Sequence, residues 1–289
     1  MSRARQIIET QEFATLPAVA TKVLSLLEDE DVNIRSLSTL IETDPALTLK
    51  VLKVANSPLY AVRSEITSIN QAILNLGLNR LTNIVLGISI FSKFFISSNK
   101  ELTSLIDQFW WHSSSTGMIA KSLSTKLNIF FKEFEFIGGL IHDIGKLALL
   151  QYNPQMFKEV IMLVNNGNSD IEAEKMIYET DHNEIGFEIA KLWKLPLELA
   201  YIMKFHTCPR DSNKYQGLIS LVRIADLFAE IWGADFYEGI KEVCLEESKP
   251  WEILKSENPA LEKLDLEVFT FELETEFNKT TEFLRIVKE

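Results

Sequence analysis

Cysteine is almost missing from this chain of 289 residues. The two present, Cys208 and Cys244, lie far apart in sequence, which leaves neither a disulfide framework nor a thiolate metal cluster and fits a reducing compartment. Positive charge is also short: 29 Lys and Arg face 41 Asp and Glu, for a net charge of −12 and a pI near 5.0. A general attraction to phosphate backbones or anionic lipid is therefore excluded, no basic stripe offsets it, and no nucleic-acid partner is expected. Long apolar runs are lacking too. Nowhere do about 18 consecutive apolar residues occur, so no membrane insertion is expected, and the opening MSRARQIIETQEF has no apolar core of signal-peptide length. A cytoplasmic location is the expectation. There is no internal repeat, low-complexity run or glycine-rich phosphate loop in the sequence.

What is there is an ordinary globular composition, 46% hydrophobic and 24% charged, enough for one large core or two smaller ones. Apolar residues recur at helical spacing nearly everywhere and period-two alternation is scarce, which predicts an all-α fold. Three stretches are expected: a helical part over 1–97, a helical core over 98–236 and a helical tail over 237–289, with the polar Ser97-Ser98-Asn99-Lys100 at the first break. In the first stretch, Asp44 before Pro45 predicts a helix start, and Asn56-Ser57-Pro58 its end. Ile69, Ala72, Ile73 and Leu76 predict a helix stopped at Gly77, and Leu81, Ile84, Val85, Ile88 and Phe91 a further one. In the tail, Leu264, Val268 and Phe271 make one apolar stripe, and Phe269, Leu273, Phe277 and Leu284 make another. Such a helix either wedges into its own body or joins a second copy in a homo-oligomer, and self-packing is the expected outcome.

Histidine is scarce as well, with four in the chain, and their placement is informative. The segment Glu135–Leu147 contains His142-Asp143. Read as one helix, it puts Ile137, Leu140, Ile141, Ile144 and Leu147 on one arc and His142, Asp143 and Lys146 opposite. Gly138, Gly139 and Gly145 lie on or beside that polar face. Interior helix glycines cost roughly 1 kcal/mol each relative to alanine, so close approach by another helix or a ligand is expected there. His112 lies on the stripe Leu105, Phe109, Thr116, Ile119, Leu123 and should point inward. His182 opens a helix behind Asp181, with Glu184 at capping-box spacing, and shares the face of Ile185 and Ile189. His206 follows Leu199 and Ile202 near the end of a helix stopped before Pro209. Asp226 sits in the buried-looking stripe Leu218, Val222, Ala229, where an ionised carboxylate asks for a cation or a strong donor.

Each of these residues has an ordinary reading by itself. An inward histidine is commonly satisfied by a backbone carbonyl, Asp226 can pair with Arg223, and Lys146 can be a solvated surface lysine. Taken together, six candidate ligands, His112, His142, Asp143, His182, His206 and Asp226, lie on five helices and point inward or towards a glycine-lined face, as in metal sites built inside helical bundles. Imidazole with carboxylate suits one or two ions of Fe, Mn or Zn, and the lack of ligand-spaced cysteine argues against structural zinc.

The order His112, His142-Asp143, His182, His206, Asp226 resembles the HD-domain superfamily, whose active members hold metal with such residues and hydrolyse phosphate esters. Further motifs narrow the resemblance to the HDOD family, the HD-related output domain of bacterial signalling proteins. They are Leu16-Pro17, Asp44-Pro45-Ala46-Leu47, Val51-Leu52-Lys53-Val54-Ala55-Asn56-Ser57-Pro58, Ile66 to Gly77, Phe109-Trp110-Trp111-His112-Ser113, Gly139 to Lys146 and Trp193-Lys194-Leu195-Pro196. The resemblance covers about residues 16–235 and implies an N-terminal helical subdomain followed by an HD-type helical core. It also implies a cytoplasmic regulatory module that acts on a protein partner, without established hydrolase activity. This chain keeps the whole ligand set, whereas many members of the family have lost ligands. It lacks the Gly-Tyr-Pro motif of the related cyclic-di-GMP phosphodiesterases: Thr207-Cys208-Pro209-Arg210-Asp211 follows His206, and Phe205 stands where a second histidine is often found. The alternative is a metal-dependent phosphohydrolase or phosphodiesterase, with Lys146 meeting the substrate phosphate as a point charge.

Overall fold

A computed structural model describes residues 2–9, 16–27, 34–57, 60, 62, 64–94, 100–132 and 134–277. Among them every regular element is helical. After α1 (Arg3–Glu9) come α2 (Ala18–Leu27), α3 (Ile34–Glu42), α4 (Pro45–Ala55), α5 (Ile69–Leu76) and α6 (Leu78–Phe94), and these last five form one compact unit. Helix α1 belongs to the other unit, together with α7 (Lys100–Leu127), α8 (Phe134–Ile141), α9 (Ile144–Tyr152), α10 (Pro154–Asn165), α11 (Asp170–Tyr178), α12 (His182–Leu192), α13 (Leu197–Phe205), α14 (Gln216–Ile231), α15 (Lys249–Glu257) and α16 (Leu266–Phe277). The break expected at Ser97-Ser98-Asn99-Lys100 lies, up to Lys100, outside the described residues.

In the smaller unit the punctuation acts as the residue types dictate. The Asp44 carboxylate caps α4 by accepting from Leu47 N at 3.0 Å, and Pro45 needs no partner for the N–H it lacks. At the other end, the Asn56 amide donates to Leu52 O and Ile66 O and accepts from Ile66 N, tying the loop back to the helix. Gly77 ends α5 at φ +84, a conformation open to glycine at little cost. Ile69, Ala72, Ile73 and Leu76 of α5 and Leu81, Ile84, Val85, Ile88 and Phe91 of α6 are buried, as their spacing predicts.

The larger unit is organised around α7, a 28-residue helix flanked by α8 and α14. Glycine allows the close packing: a Cβ on Gly139 would stand 2.7 Å from the Gly117 backbone, so α7 and α8 touch main chain to main chain. Helix α1 buries Ala4, Ile7 and Ile8 and packs on α9 and α12. The described part of the tail, to Phe277, folds back onto this unit. Phe269, Leu273 and Phe277 join Ile119, Leu123, Leu221, Phe228 and Trp251 in one core, while Val268 and Phe271 of the first stripe face solvent. Leu264 packs part-buried at the core edge, and Leu284 lies outside the described residues. No helix among the described residues is long and apolar enough to cross a membrane.

One expectation is corrected. The segment 135–147 is two helices, with α8 ending at Ile141 and α9 beginning at Ile144. Consecutive residues of a continuous helix point about 100° apart, so His142 and Asp143 could not both face one point from within it. The two-residue break lets them do so.

Candidate metal centre

Five elements deliver the six side chains. His112 stands midway along α7 among buried Phe109, Thr116, Ile119 and Leu123. His142 and Asp143 occupy the α8–α9 break, where the Asp143 carboxylate makes no helix cap and is free for other duty. His182 is the first residue of α12. Its N-cap Asp181 accepts from Glu184 N at 2.9 Å, but the Glu184 carboxylate pairs with Lys204 instead of completing a capping box. His206 closes α13 as its C-cap, and Asp226 lies in the buried middle of α14.

Their ligand atoms converge. His112 Nε2 lies 3.2 Å from His142 Nε2, 3.2 Å from Asp226 Oδ1 and 3.7 Å from Asp143 Oδ2. His142 Nε2 lies 3.4 Å from Asp226 Oδ1 and 3.7 Å from Asp143 Oδ2. Ligands bound at about 2.1 Å to a common ion stand about 3.0–3.4 Å apart, so the His112, His142 and Asp226 atoms can share one, while Asp143 Oδ2 pairs with Lys146. The other oxygen of Asp143 turns away from them. Asp143 Oδ1 sits 3.1 Å from His206 Nε2 and 3.4 Å from His182 Nε2. Among the described residues, three groupings have ligand atoms within 4.8 Å of one another: His112, His142 and Asp226; His142, Asp143 and His206; and His206, Asp226 and Glu238, whose carboxylate oxygens both accept from Arg223. Five of the six expected residues fall in these groupings, and His182 lies outside them, joined through Asp143 Oδ1.

Outer partners orient the imidazoles. His112 Nδ1 donates to Ala234 O at 2.8 Å, His142 Nδ1 to Gly139 O at 2.8 Å, His182 Nδ1 to the Glu174 carboxylate at 2.7 Å and His206 Nδ1 to Ile202 O at 3.2 Å. With every Nδ1 so engaged, every Nε2 faces the carboxylates, the arrangement by which metal-ligating histidines are usually held. Asp226 Oδ1 and His182 Nε2 are buried without a hydrogen-bond partner, a costly state that a cation relieves. The donor set fits a metal on both counts.

The electrostatics point the same way. Burial lowers His112, yet the adjacent Asp226 carboxylate, with the charges of Glu230 and Asp143, lifts it to about 9. Burial is likewise overcome at His182, where Glu174 and Asp143 raise it to about 10. His206 moves to about 4, because burial outweighs its hydrogen bond to Asp143 and the neighbouring histidines add to the lowering. Burial opposes ionisation of Asp143 and Asp226, but Lys146 and His142 at the first, and His142 and Arg223 at the second, hold both well below the usual carboxylate range. A region this rich in carboxylate demands positive charge.

Lys146 differs from the solvated or substrate-facing lysine considered above. Its side chain is buried, and Nζ lies 2.9 Å from Asp143 Oδ2, 2.9 Å from Asp170 Oδ2 and 3.7 Å from Glu238 Oε1. Sequence reasoning missed Asp170, Glu174, Glu230 and Glu238. A signal existed for three of them: Asp170 and Glu174 stand four apart, on one helix face, and Glu230 lies one turn beyond Asp226. Glu238 comes from an irregular segment and had none. Arg223, one turn before Asp226, pairs with Asp226 Oδ2 at 2.6 Å, leaving Oδ1 to the histidines.

Comparison with known proteins agrees with this architecture. An uncharacterized protein of Treponema pallidum (strain Nichols) is 25% identical over 223 residues, which cover 75% of this chain and 42% of that protein. The chain thus spans less than half the length of that curated relative. An HDOD domain protein of unknown function from Geobacter sulfurreducens has a solved structure with a TM-score of 0.80 and 26% identity, covering 99% of this chain and 96% of that one. A candidate phosphohydrolase from Shewanella amazonensis SB2B shares the fold at a TM-score of 0.74 and 22% identity, covering 99% of this chain and 98% of that one. The HDOD domain profile matches residues 13–209, and with most of its length so matched the chain belongs to the HDOD domain family.

Proposed function

We propose that this protein is a cytoplasmic regulatory module whose stretch 98–236 holds one or two divalent metal ions, with iron, manganese or zinc suited to the imidazole and carboxylate set. It passes a state to a protein partner rather than turning over a substrate. The observation that carries this reading is burial: His112, His142, Asp143, His182, His206 and Asp226 each have 0% accessible surface. A hydrolytic centre must admit both water and a phosphate ester. Ligands enclosed on every side serve better to lock five elements together, and Lys146 has its charge committed to Asp143 and Asp170. Sharing a fold with a candidate phosphohydrolase assigns no chemistry.

The test is elemental analysis of protein purified without chelator, beside a His142→Ala, Asp143→Ala double variant. Stoichiometric metal in the first and trace metal in the second is the expected outcome; trace metal in both overturns the reading. Metal-loaded protein incubated with nucleotides, cyclic dinucleotides and generic phosphodiesters is expected to leave them intact. Hydrolysis that vanishes in the double variant would replace the regulatory reading with the metal-dependent phosphohydrolase.

A further inference from the structure

Beyond α14 the chain enters an irregular segment that wraps the candidate centre and lies outside the residues matched to the family. Side-chain hydrogen bonds fasten it. Trp111 Nε1 donates to Gly233 O at 3.3 Å, His112 Nδ1 to Ala234 O at 2.8 Å, Phe236 N to the Glu230 carboxylate at 2.7 Å, and Tyr237 OH to Gln108 Oε1 at 3.1 Å. Tyr237 adopts φ +62, sparsely used by aromatic residues, and Gly239 adopts φ +81. Between them Glu238 is directed inward and buried.

Glu238 then meets both cations that grip the ligand carboxylates. Its two oxygens accept from Arg223 Nη1 at 3.0 and 2.7 Å, and Oε1 stands 3.7 Å from Lys146 Nζ. The same Arg223 nitrogen donates to Asp226 Oδ2 at 2.6 Å, while Lys146 pairs with Asp143 Oδ2. A guanidinium on a long flexible stem holds a carboxylate in one orientation only when the stem is itself fixed. At Arg223 the fixing group is Glu238. With Oδ2 occupied, Asp226 has only Oδ1 to offer, a single ligand oxygen in place of a chelating pair.

We propose that Glu238 is a positioning residue of this centre, acting through Arg223 to make Asp226 a one-oxygen ligand. The inference rests on the metal-site reading above. Without Glu238, Arg223 loosens, Asp226 gains freedom to rotate or to chelate with both oxygens, and the coordination of the ion changes. Outer partners of this kind change metal affinity about 10–100-fold when removed.

The experiment titrates the metal-free full-length protein with Co(II) alone and follows its visible absorption bands, which respond to coordination number. Glu238→Gln and Arg223→Lys are expected to weaken Co(II) binding about 10–100-fold and to alter band position and intensity together. Glu238→Asp, which keeps the carboxylate, is expected to recover part of both. The exposed pair Arg210 and Glu252 supplies a control, Glu252→Gln, expected to match wild type. If Glu238→Gln does not fold, Glu238→Asp and Arg223→Lys decide between the same outcomes. Wild-type affinity and spectrum in Glu238→Gln, or in Arg223→Lys, overturns the positioning role while leaving the metal site standing. Absence of Co(II) binding by the wild type overturns the metal site itself.

Discussion

At the scale of single residues, the centre is a problem in charge placement. Asp143, Asp170, Glu174, Asp226, Glu230 and Glu238 lie buried around two fixed cations, Lys146 and Arg223, and four imidazoles. Burial and the nearby Glu238 push Glu230 up to about 8, which measures how crowded the negative charge is. Removing a cation from such a cluster leaves carboxylates buried and uncompensated. Lys146→Ala is therefore expected to destabilise the fold by about 3–5 kcal/mol, measured by urea unfolding of the metal-free protein. A loss below about 1 kcal/mol, the range of exposed ion pairs, would contradict the buried pairing described here. Glu174 has a different task. Its carboxylate holds the His182 Nδ1 and the His182 backbone N–H. Glu174→Gln keeps the shape but weakens acceptance from the ring, and metal affinity on the His182 side is expected to fall about 10–100-fold by equilibrium dialysis.

At the scale of elements, the α8–α9 break is the decisive feature. It turns a polar helix face into a point of convergence for His142 and Asp143. Gly145, in the first turn of α9, lets that turn lie directly on the start of α12: a Cβ there would stand 2.1 Å from His182 O. A methyl group at this place must push α12 away and carry His182 with it. Gly145→Ala is expected to cost at least about 1–3 kcal/mol in thermal or urea unfolding and to lower metal content in the same preparation. Periodicity located these helices well, because an apolar stripe repeats over several turns. It could not locate the break, which occupies two residues and carries neither proline nor glycine. The capping residues Asp44 and Ser68 were differently legible: Asp44 before a proline is a visible signal, whereas Ser68 acts at the same position of α5 with no distinctive neighbour.

At the scale of the whole molecule, the tail as far as Phe277 is part of the larger unit. Leu273 is fully buried in the core that α7 and α14 share with α15 and α16, while Phe271, two residues earlier, is 71% exposed. Leu273→Ala is expected to cost about 2–5 kcal/mol and Phe271→Ala less than about 0.5 kcal/mol, compared by denaturant midpoint at constant slope. Equal losses at the two positions would contradict the packing of α16. Deleting the chain after Phe236 removes Trp251, Leu254, Phe269, Leu273 and Phe277 from that core together with Glu238, so a truncated protein reports on folding before it reports on assembly.

The sequence by itself determined the helical class, the helix faces that turn inward and the identity of six residues that could meet, because periodicity and residue chemistry are local properties. It also carried the family resemblance in an ordered series of short motifs. Tertiary structure alone decided that those six side chains converge, that Lys146 is enclosed by carboxylates and that Glu174, Glu230 and Glu238 surround the ligands. The reason is physical. A charged residue in a sequence is ordinarily solvated, and only the arrangement of distant segments can bury it beside its partner. Glu238 is the extreme case, an acidic residue in an irregular segment, placed against Arg223 and Lys146 by contacts from α7 and α14 that no local pattern encodes.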